Sequence, residues 1–255
     1  MPKPSSGRRK KAAFQFGKAK TLEEANRLAV QYGLAEKADF RELDIRAANE
    51  IIETLKKTKD EFPNAFDKLE FLGGSTEYNR YKKELGASLG VRFENVKMGD
   101  ATASYVTYYL DGKYYHSIIF NSKDYNSKNY SSHFEVYKKN VKERWHPVGC
   151  NTIKSTADHE IAHAIDRKFN ISSRNRVIMN LYNQHHGSRM TSALSTYADT
   201  NIEEFIAEAW SEYRNNPYPR TVAKQVGNEI MKYLNPRQPF VKRVGNKIIS
   251  FLKGE

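Results

Sequence analysis

His159, Glu160 and His163 stand in the spacing H-E-x-x-H within Asn151–Asn170, NTIKSTADHEIAHAIDRKFN. On an α-helix, residues four apart lie one turn above each other with Cβ atoms about 5–6 Å apart, so both imidazoles can reach one point. Two ring nitrogens meeting at a point are the start of a metal site, and zinc is a metal that takes nitrogen and carboxylate donors. At about 100° per residue His159, His163, Asp166 and Thr156 share one face. Ile153, Ala157, Ile161, Ala164 and Ile165 fill the opposite one. The spacing predicts a helix with an apolar back and a ligand-bearing front. Asp166 lies nearly a turn beyond the midpoint of the two histidines, so its expected task is to orient a histidine rather than to bind the metal.

Two histidines leave zinc short, because catalytic sites supply three protein ligands and keep a fourth position for water. The third donor is sought in 192–213, where Ile202, Phe205, Ile206, Ala209, Trp210 and Tyr213 form an apolar helical face and Glu204, Glu208 and Glu212 line the other side. A solvated acidic face has the same spacing. Capping separates the candidates. With Thr200 as N-cap, Glu203 occupies N3 and Glu204 is free to bind; with Asn201 as N-cap, Glu204 falls at N3 and Glu203 competes with it. The remaining histidines have weaker claims. His116, His133 and His146 are expected to be structural, and His185 and His186 to be solvated in the polar stretch 183–189. Cys150 is the only cysteine, which excludes an intrachain disulfide and a four-thiolate zinc site and leaves a buried inert thiol as the expectation.

The elements that must position these residues follow from the periodicity of the chain. A capping box at Thr21–Glu24 opens a short helix ending near Gly33, and a longer helix is expected from Asp44 to Phe62, with Ile45, Ala48, Ile51, Ile52 and Leu55 as its stripe. Leu69–Leu72 reads as a strand closed by Gly73-Gly74; a polar, tyrosine-bearing segment follows, and Val91 opens a further expected strand. Ser104–Leu110 and Lys113–Asn121, joined by Asp111-Gly112, form the clearest hairpin. Ser122–Cys150 is expected to be an exposed excursion with a helix over Glu135–Lys142. Helices are also expected over Val177–Tyr182 and Thr221–Leu234.

The formal charge of +12 invites a nucleic-acid reading, but its distribution qualifies it. Residues 1–20 hold seven Lys and Arg and no acid, and 235–255 hold five against Glu255, so the ends carry 7 + 4 = 11 of the +12. The chain is therefore divided into a basic disordered arm, 1–20, a folded domain, 21–235, and a basic amphipathic C-terminal helix, 236–255. The tails are candidate grips for nucleic acid or an acidic partner. The start lacks the apolar run of a signal peptide, and no stretch reaches the length of a transmembrane segment, so an intracellular or particle-enclosed protein is expected.

H-E-x-x-H followed by Tyr197-Ala-Asp-Thr-Asn-Ile-Glu-Glu204-Phe-Ile-Ala-Glu208-Ala resembles the catalytic core of anthrax lethal factor-type zinc peptidases, of the gluzincin group. A longer pattern, with ADFRELDI from Ala38, EFP from Glu61 and WHPVGCNTIK from Trp145, is similar to zincin-like domains of minor head proteins of tailed phages and related mobile elements. The similarity spans about Ala38 to Arg220. Ala162 stands where such proteins often carry glycine. The resemblance implies an α+β zincin-like fold, its small twisted sheet mostly antiparallel and packed on the H-E-x-x-H helix and a glutamate-bearing helix. It implies His159, His163 and Glu204 as Zn2+ ligands, Glu208 behind them, Glu160 as general base and Tyr197 directed at the reaction centre. It also implies a zinc endopeptidase of phage or mobile-element origin, working in the host cytoplasm or packaged in a virion. An edge strand within Ser117–Asn121 is expected to hold a polypeptide substrate by strand addition. The rival expectation is a head-associated structural protein that contacts capsid or portal components and binds DNA through its tails.

Overall fold

The computed structural model describes residues 17–235. Most of the expected arm and the whole C-terminal helix, 236–255, lie outside the described residues. Of the arm, Ala19 is buried, and its backbone N–H donates to Asn49 Oδ1 at 2.8 Å.

The chain begins α1 (Leu22–Gln31), β1 (Ala35–Asp39), α2 (Ile45–Glu61), β2 (Leu69–Gly74) and α3 (Ser75–Leu89). Helix α1 is opened by Thr21, whose hydroxyl accepts the Glu24 N–H, and Gly33 leaves it at φ 68°. Asp44 caps α2, and Ala48, Ile51, Ile52 and Leu55 are fully buried along its expected stripe. Strands β1 and β2 approach so closely that a Cβ on Gly73 would sit 1.9 Å from the Asp39 carbonyl oxygen, which restricts that position to glycine.

The hairpin β3 (Ala103–Leu110) and β4 (Lys113–Phe120) turns through Asp111 at φ 48° and Gly112 at φ 78°, the pair of positive φ values that a type I′ turn needs. After it come α4 (Ser122–Tyr125), α5 (Tyr130–Lys142), α6 (Ile153–Phe169), α7 (Ile171–Arg174), α8 (Arg176–His185), α9 (Met190–Ala193), a 3-10 turn at Tyr197–Asp199, α10 (Ile202–Asn215) and α11 (Thr221–Leu234).

Three sequence expectations need correction. The sheet has the order β1-β2-β4-β3, with β1/β2 and β2/β4 parallel and only β3/β4 antiparallel, so it is mixed rather than mostly antiparallel. Helices α2 and α3 supply the connections that parallel neighbours require. Helix α3 lies where a polar segment is read, and Val91 opens no strand. The buried positions of α3 are Ser75, Glu77, Tyr78, Lys82 and Gly86, so it has no apolar stripe to betray it. Finally, 122–150 is no exposed excursion. Tyr125, Tyr130, His133 and Tyr137 are buried, and hydroxyls link Tyr125 to Tyr137 and Tyr137 to Thr156 of α6.

Helix α6 is central to this α+β arrangement, packed between α10, α2 and the β3 edge of the sheet. Its expected apolar back is buried throughout: Ile153, Ala157, Ile161, Ala164 and Ile165 are at most 4% exposed.

Candidate metal centre

Local chemistry holds α6 at both ends. Thr152 and Ser155 form a reciprocal capping box, and Asn170 leaves the helix in the left-handed conformation at φ 56°. Helix α10 lies along α6, joined by Ser211 Oγ donating to the Ser155 carbonyl at 2.8 Å and Asn215 Nδ2 donating to Asp158 Oδ2 at 2.9 Å, while Phe205, Ile206, Ala209 and Trp210 are fully buried on the other side of α10. The polar fronts of the two helices therefore face each other.

Between them, His159 Nε2 and His163 Nε2 lie 3.1 Å apart, and Glu204 Oε2 lies 3.0 Å from the first and 3.5 Å from the second. Tetrahedral zinc with bonds of about 2.0–2.1 Å sets its ligand atoms about 3.4 Å apart, so the triangle has the size of one face of such a tetrahedron. Glu204 Oε2 is buried without a hydrogen-bond partner, and the two facing Nε2 atoms cannot both direct a proton along the line between them. Converging lone pairs of this kind can hold a metal ion, and His159, His163 and Glu204 form the one such cluster among the described residues.

The competition between the acids is decided by α10. Asn201, not Thr200, is the N-cap; its Oδ1 accepts the Glu204 N–H at 2.8 Å. This puts Glu204 at N3, the placement that counts against it in a capping-box argument. The cap takes only the backbone N–H, however, and the Glu204 carboxylate turns to the histidines while Glu203 is exposed.

Glu208, one turn further, is 2% exposed and orients His159. Its Oε1 lies 2.9 Å from His159 Nδ1, and its Oε2 accepts the Ser195 hydroxyl at 2.9 Å. His146 Nδ1 stands 3.4 Å from both oxygens. An Nδ1–H held by a carboxylate leaves the Nε2 lone pair of His159 free for a metal. Burial alone would raise the Glu208 carboxyl, but His146 and His159 outweigh it and bring it down to about 2. Burial likewise opposes the charged form of His159, and the carboxylates Glu204 and Glu208 on its two nitrogens overcome it, raising its pKa well above the usual value. Glu204 is pulled far below the carboxylate range, the two imidazoles overcoming its burial.

Glu160 is 5% exposed and shifts the other way: burial raises its pKa, so it is the best proton acceptor among these acids. A backbone hydrogen bond from Tyr105 of β3 reaches it. Tyr197 stacks on the His159 ring at 6.0 Å and 22°, between Trp145 and His146. Burial and the nearby acids keep its hydroxyl protonated, with Glu204 as a hydrogen-bond partner.

Other candidates stand elsewhere. Asp166 Oδ1 accepts the Ser172 N–H at 2.6 Å, so it closes the α6–α7 junction, and Glu208 does the orienting expected of Asp166. His186 pairs with Asp199 at 2.8 Å, and His185 ends α8. Cys150 is buried and accepts from Ser211 Oγ at 3.2 Å; burial raises its thiol pKa well above the usual value. His146 and Ser195 are the residues that sequence reasoning misses. They lie 62 and 13 positions from Glu208, and no periodicity links them to it.

Strand β3, not β4, is the open edge beside the site. Asn121 N–H bonds to Thr102 C=O, so in the antiparallel register the pairs at Ser104, Val106 and Tyr108 are hydrogen-bonded and Ala103, Tyr105, Thr107 and Tyr109 turn their backbone groups outward. The segment Ser117–Asn121 lies inside the sheet and offers no edge. A cleft of about 270 Å³ opens at the Ala103 end, walled by Tyr137, Trp145, Cys150 and Tyr197. No helix among the described residues is long and apolar enough to cross a membrane. Comparison with known proteins finds no family model, no curated protein and no solved structure that matches the chain.

Proposed function

We propose that the protein is a zincin-like, gluzincin-type zinc endopeptidase. The observation that carries this reading is the triangle of His159 Nε2, His163 Nε2 and Glu204 Oε2, with sides of 3.0–3.5 Å, beside a buried Glu160 that binds none of them. Zinc held by those three residues supplies a water acidified toward a pKa of about 7 and a Lewis acid for a carbonyl oxygen. Glu160 takes the proton from the attacking water and delivers it to the leaving amine. The Tyr197 hydroxyl donates to the oxyanion of the tetrahedral intermediate. Glu208, backed by His146 and Ser195, keeps the His159 ring turned so that Nε2 faces the metal. An extended peptide lies along the outward backbone groups of Ala103, Tyr105, Thr107 and Tyr109, which makes polypeptide the fitting substrate class.

The test is metal content together with one isosteric change. Purified protein should hold about one zinc, and Glu160→Gln should keep it while lowering kcat/KM by at least about 10²- to 10⁴-fold. Wild type that takes up no zinc by elemental analysis defeats the reading.

The charge in the tails favours a second role, binding of nucleic acid by a phage head-associated protein, because 11 of the +12 lie outside the centre of the chain. Removing residues 1–16, with five of the basic side chains, should then flatten the dependence of DNA affinity on salt by a slope of about 4. An unchanged slope rules that role out for the arm.

A further inference from the structure

A second cavity, of about 290 Å³, lies further along β3 and α6, the two elements that also contribute to the first cleft. Tyr105 and Thr107 of β3 form one side, and Ala164 and Arg167 of α6 form the other. Tyr105 is the residue whose backbone reaches Glu160, and Ala164 follows His163 in the chain. The two cavities thus follow one another along β3 and α6, the first lined by His159 and the second reaching under the sheet to Tyr114 and His116 of β4.

Their charges are opposite. The cleft at the Ala103 end is lined by Asp100, Glu160 and Glu208 and by no lysine or arginine. In the second cavity Asp67 is answered by Lys168 at 2.8 Å, and Arg167 is left without a carboxylate partner among the described residues. The Arg167 guanidinium rests over the Tyr114 ring at 4.5 Å, a cation–π contact that occupies none of its N–H donors in an ion pair. His116 adds Nε2, a buried ring nitrogen with no hydrogen-bond partner. A carboxylate entering here would meet a fork of donors and a net positive wall, whereas at the other end it would meet three acids.

Strand addition gives the arrangement a direction. An antiparallel partner on β3 is slightly the more stable pairing, and it runs from Tyr109 toward Ala103. Residues before the bond to be cut therefore face Thr107 and the Arg167 cavity, and residues after it face the cleft at Ala103. We propose that the Arg167 cavity is a subsite for an acidic side chain, Asp or Glu, placed about two or three residues before the cleaved bond; this rests on the peptidase reading above.

Zinc-loaded protein should be given matched peptides that carry Glu, Gln or Lys at that place, with kcat/KM as the readout. The same peptides are titrated by fluorescence anisotropy onto Glu160→Gln, which holds them without turnover. For wild type, Glu should exceed Lys by about 3- to 10-fold, as expected of a partly exposed ion pair. Arg167→Glu should reverse that ratio in both assays. Lys224→Glu, the same charge change on the exposed face of α11, should leave it in place. A ratio near one, a ratio that Arg167→Glu does not move, or an acid preference after the cleaved bond overturns the proposal while the peptidase stands. If zinc-loaded wild type cleaves none of the peptides, the peptidase reading falls. The binding titration then still decides whether the Arg167 cavity takes an acidic side chain.

Discussion

Around α3, Glu70 and Lys82 are buried at 6% and 4% exposure, yet they build nothing that resembles a centre for chemistry. Glu70 accepts the hydroxyls of Tyr81 and Tyr108, and the Lys82 ammonium lies between the rings of Phe93 and Tyr108, 3.5 and 3.1 Å from their centroids. Around α6 and α10 the buried groups are histidines and glutamates, and three of their Lewis-basic atoms meet within a few ångströms. Burial of charge is common to the two regions. Unpartnered atoms are common to them too, Glu70 Oε2 and Lys82 Nζ at α3 and Glu204 Oε2 at α6. What separates them is that at α3 aromatic faces and phenol hydroxyls surround the charges, whereas at α6 one carboxylate and two imidazoles turn their lone pairs toward one point. A candidate site is marked by convergence of lone pairs from several side chains on one point, not by buried or unpartnered ionisable residues as such.

His163→Ala strikes that contrast hardest, since it removes one of three donors. It should abolish stoichiometric zinc in elemental analysis after desalting and lower peptidase activity by about 10³-fold or more. Retained zinc with full activity would mean that the convergence is accidental. Next in size is Glu208→Gln, which leaves the ligands in place and weakens what orients His159. Metal affinity in a chelator competition should fall by about 10- to 100-fold, and no change would return Glu208 to the status of a buried structural acid like Glu70.

The smallest effect is expected on the other side of the comparison, where Lys82→Met should leave zinc content and kcat/KM unchanged and alter only stability. Burial pushes the Lys82 ammonium down to about 8, while the ring faces favour its charged form and oppose that shift. Unfolded, the lysine titrates near 10.4, so between those values the unfolded chain binds more protons and stability rises with pH. Wild type should gain about 1–3 kcal/mol relative to Lys82→Met between pH 8 and 10 in denaturant unfolding. Equal slopes for the two proteins would show that the aromatic cage cancels the cost of burial.

Much of the α6 side is legible in the linear chain. The i, i+4 spacing of His159 and His163, the apolar back of α6 and the glutamate row of α10 are local periodicities, and a helix converts them into faces without reference to the rest of the fold. Asp111-Gly112 announces the hairpin in the same short-range way, as a demand for positive φ. The α3 side is nearly illegible, because Glu77, Tyr78 and Lys82 occupy its buried positions and give no apolar period.

The sequence by itself therefore determined two helices with polar fronts, a hairpin and a set of candidate donors that includes both Glu203 and Glu204. Only the tertiary structure decided that Asn201 caps α10 while the Glu204 carboxylate stays with the histidines. Only it set Asp166 at a helix junction, made β3 rather than β4 the open edge, and brought His146 and Ser195 to Glu208. The division has a physical cause. Helix faces and turns follow from bonds and dihedrals within a few residues, whereas strand order and the packing of α6 against α10 depend on pairings between distant segments, which the local pattern does not encode.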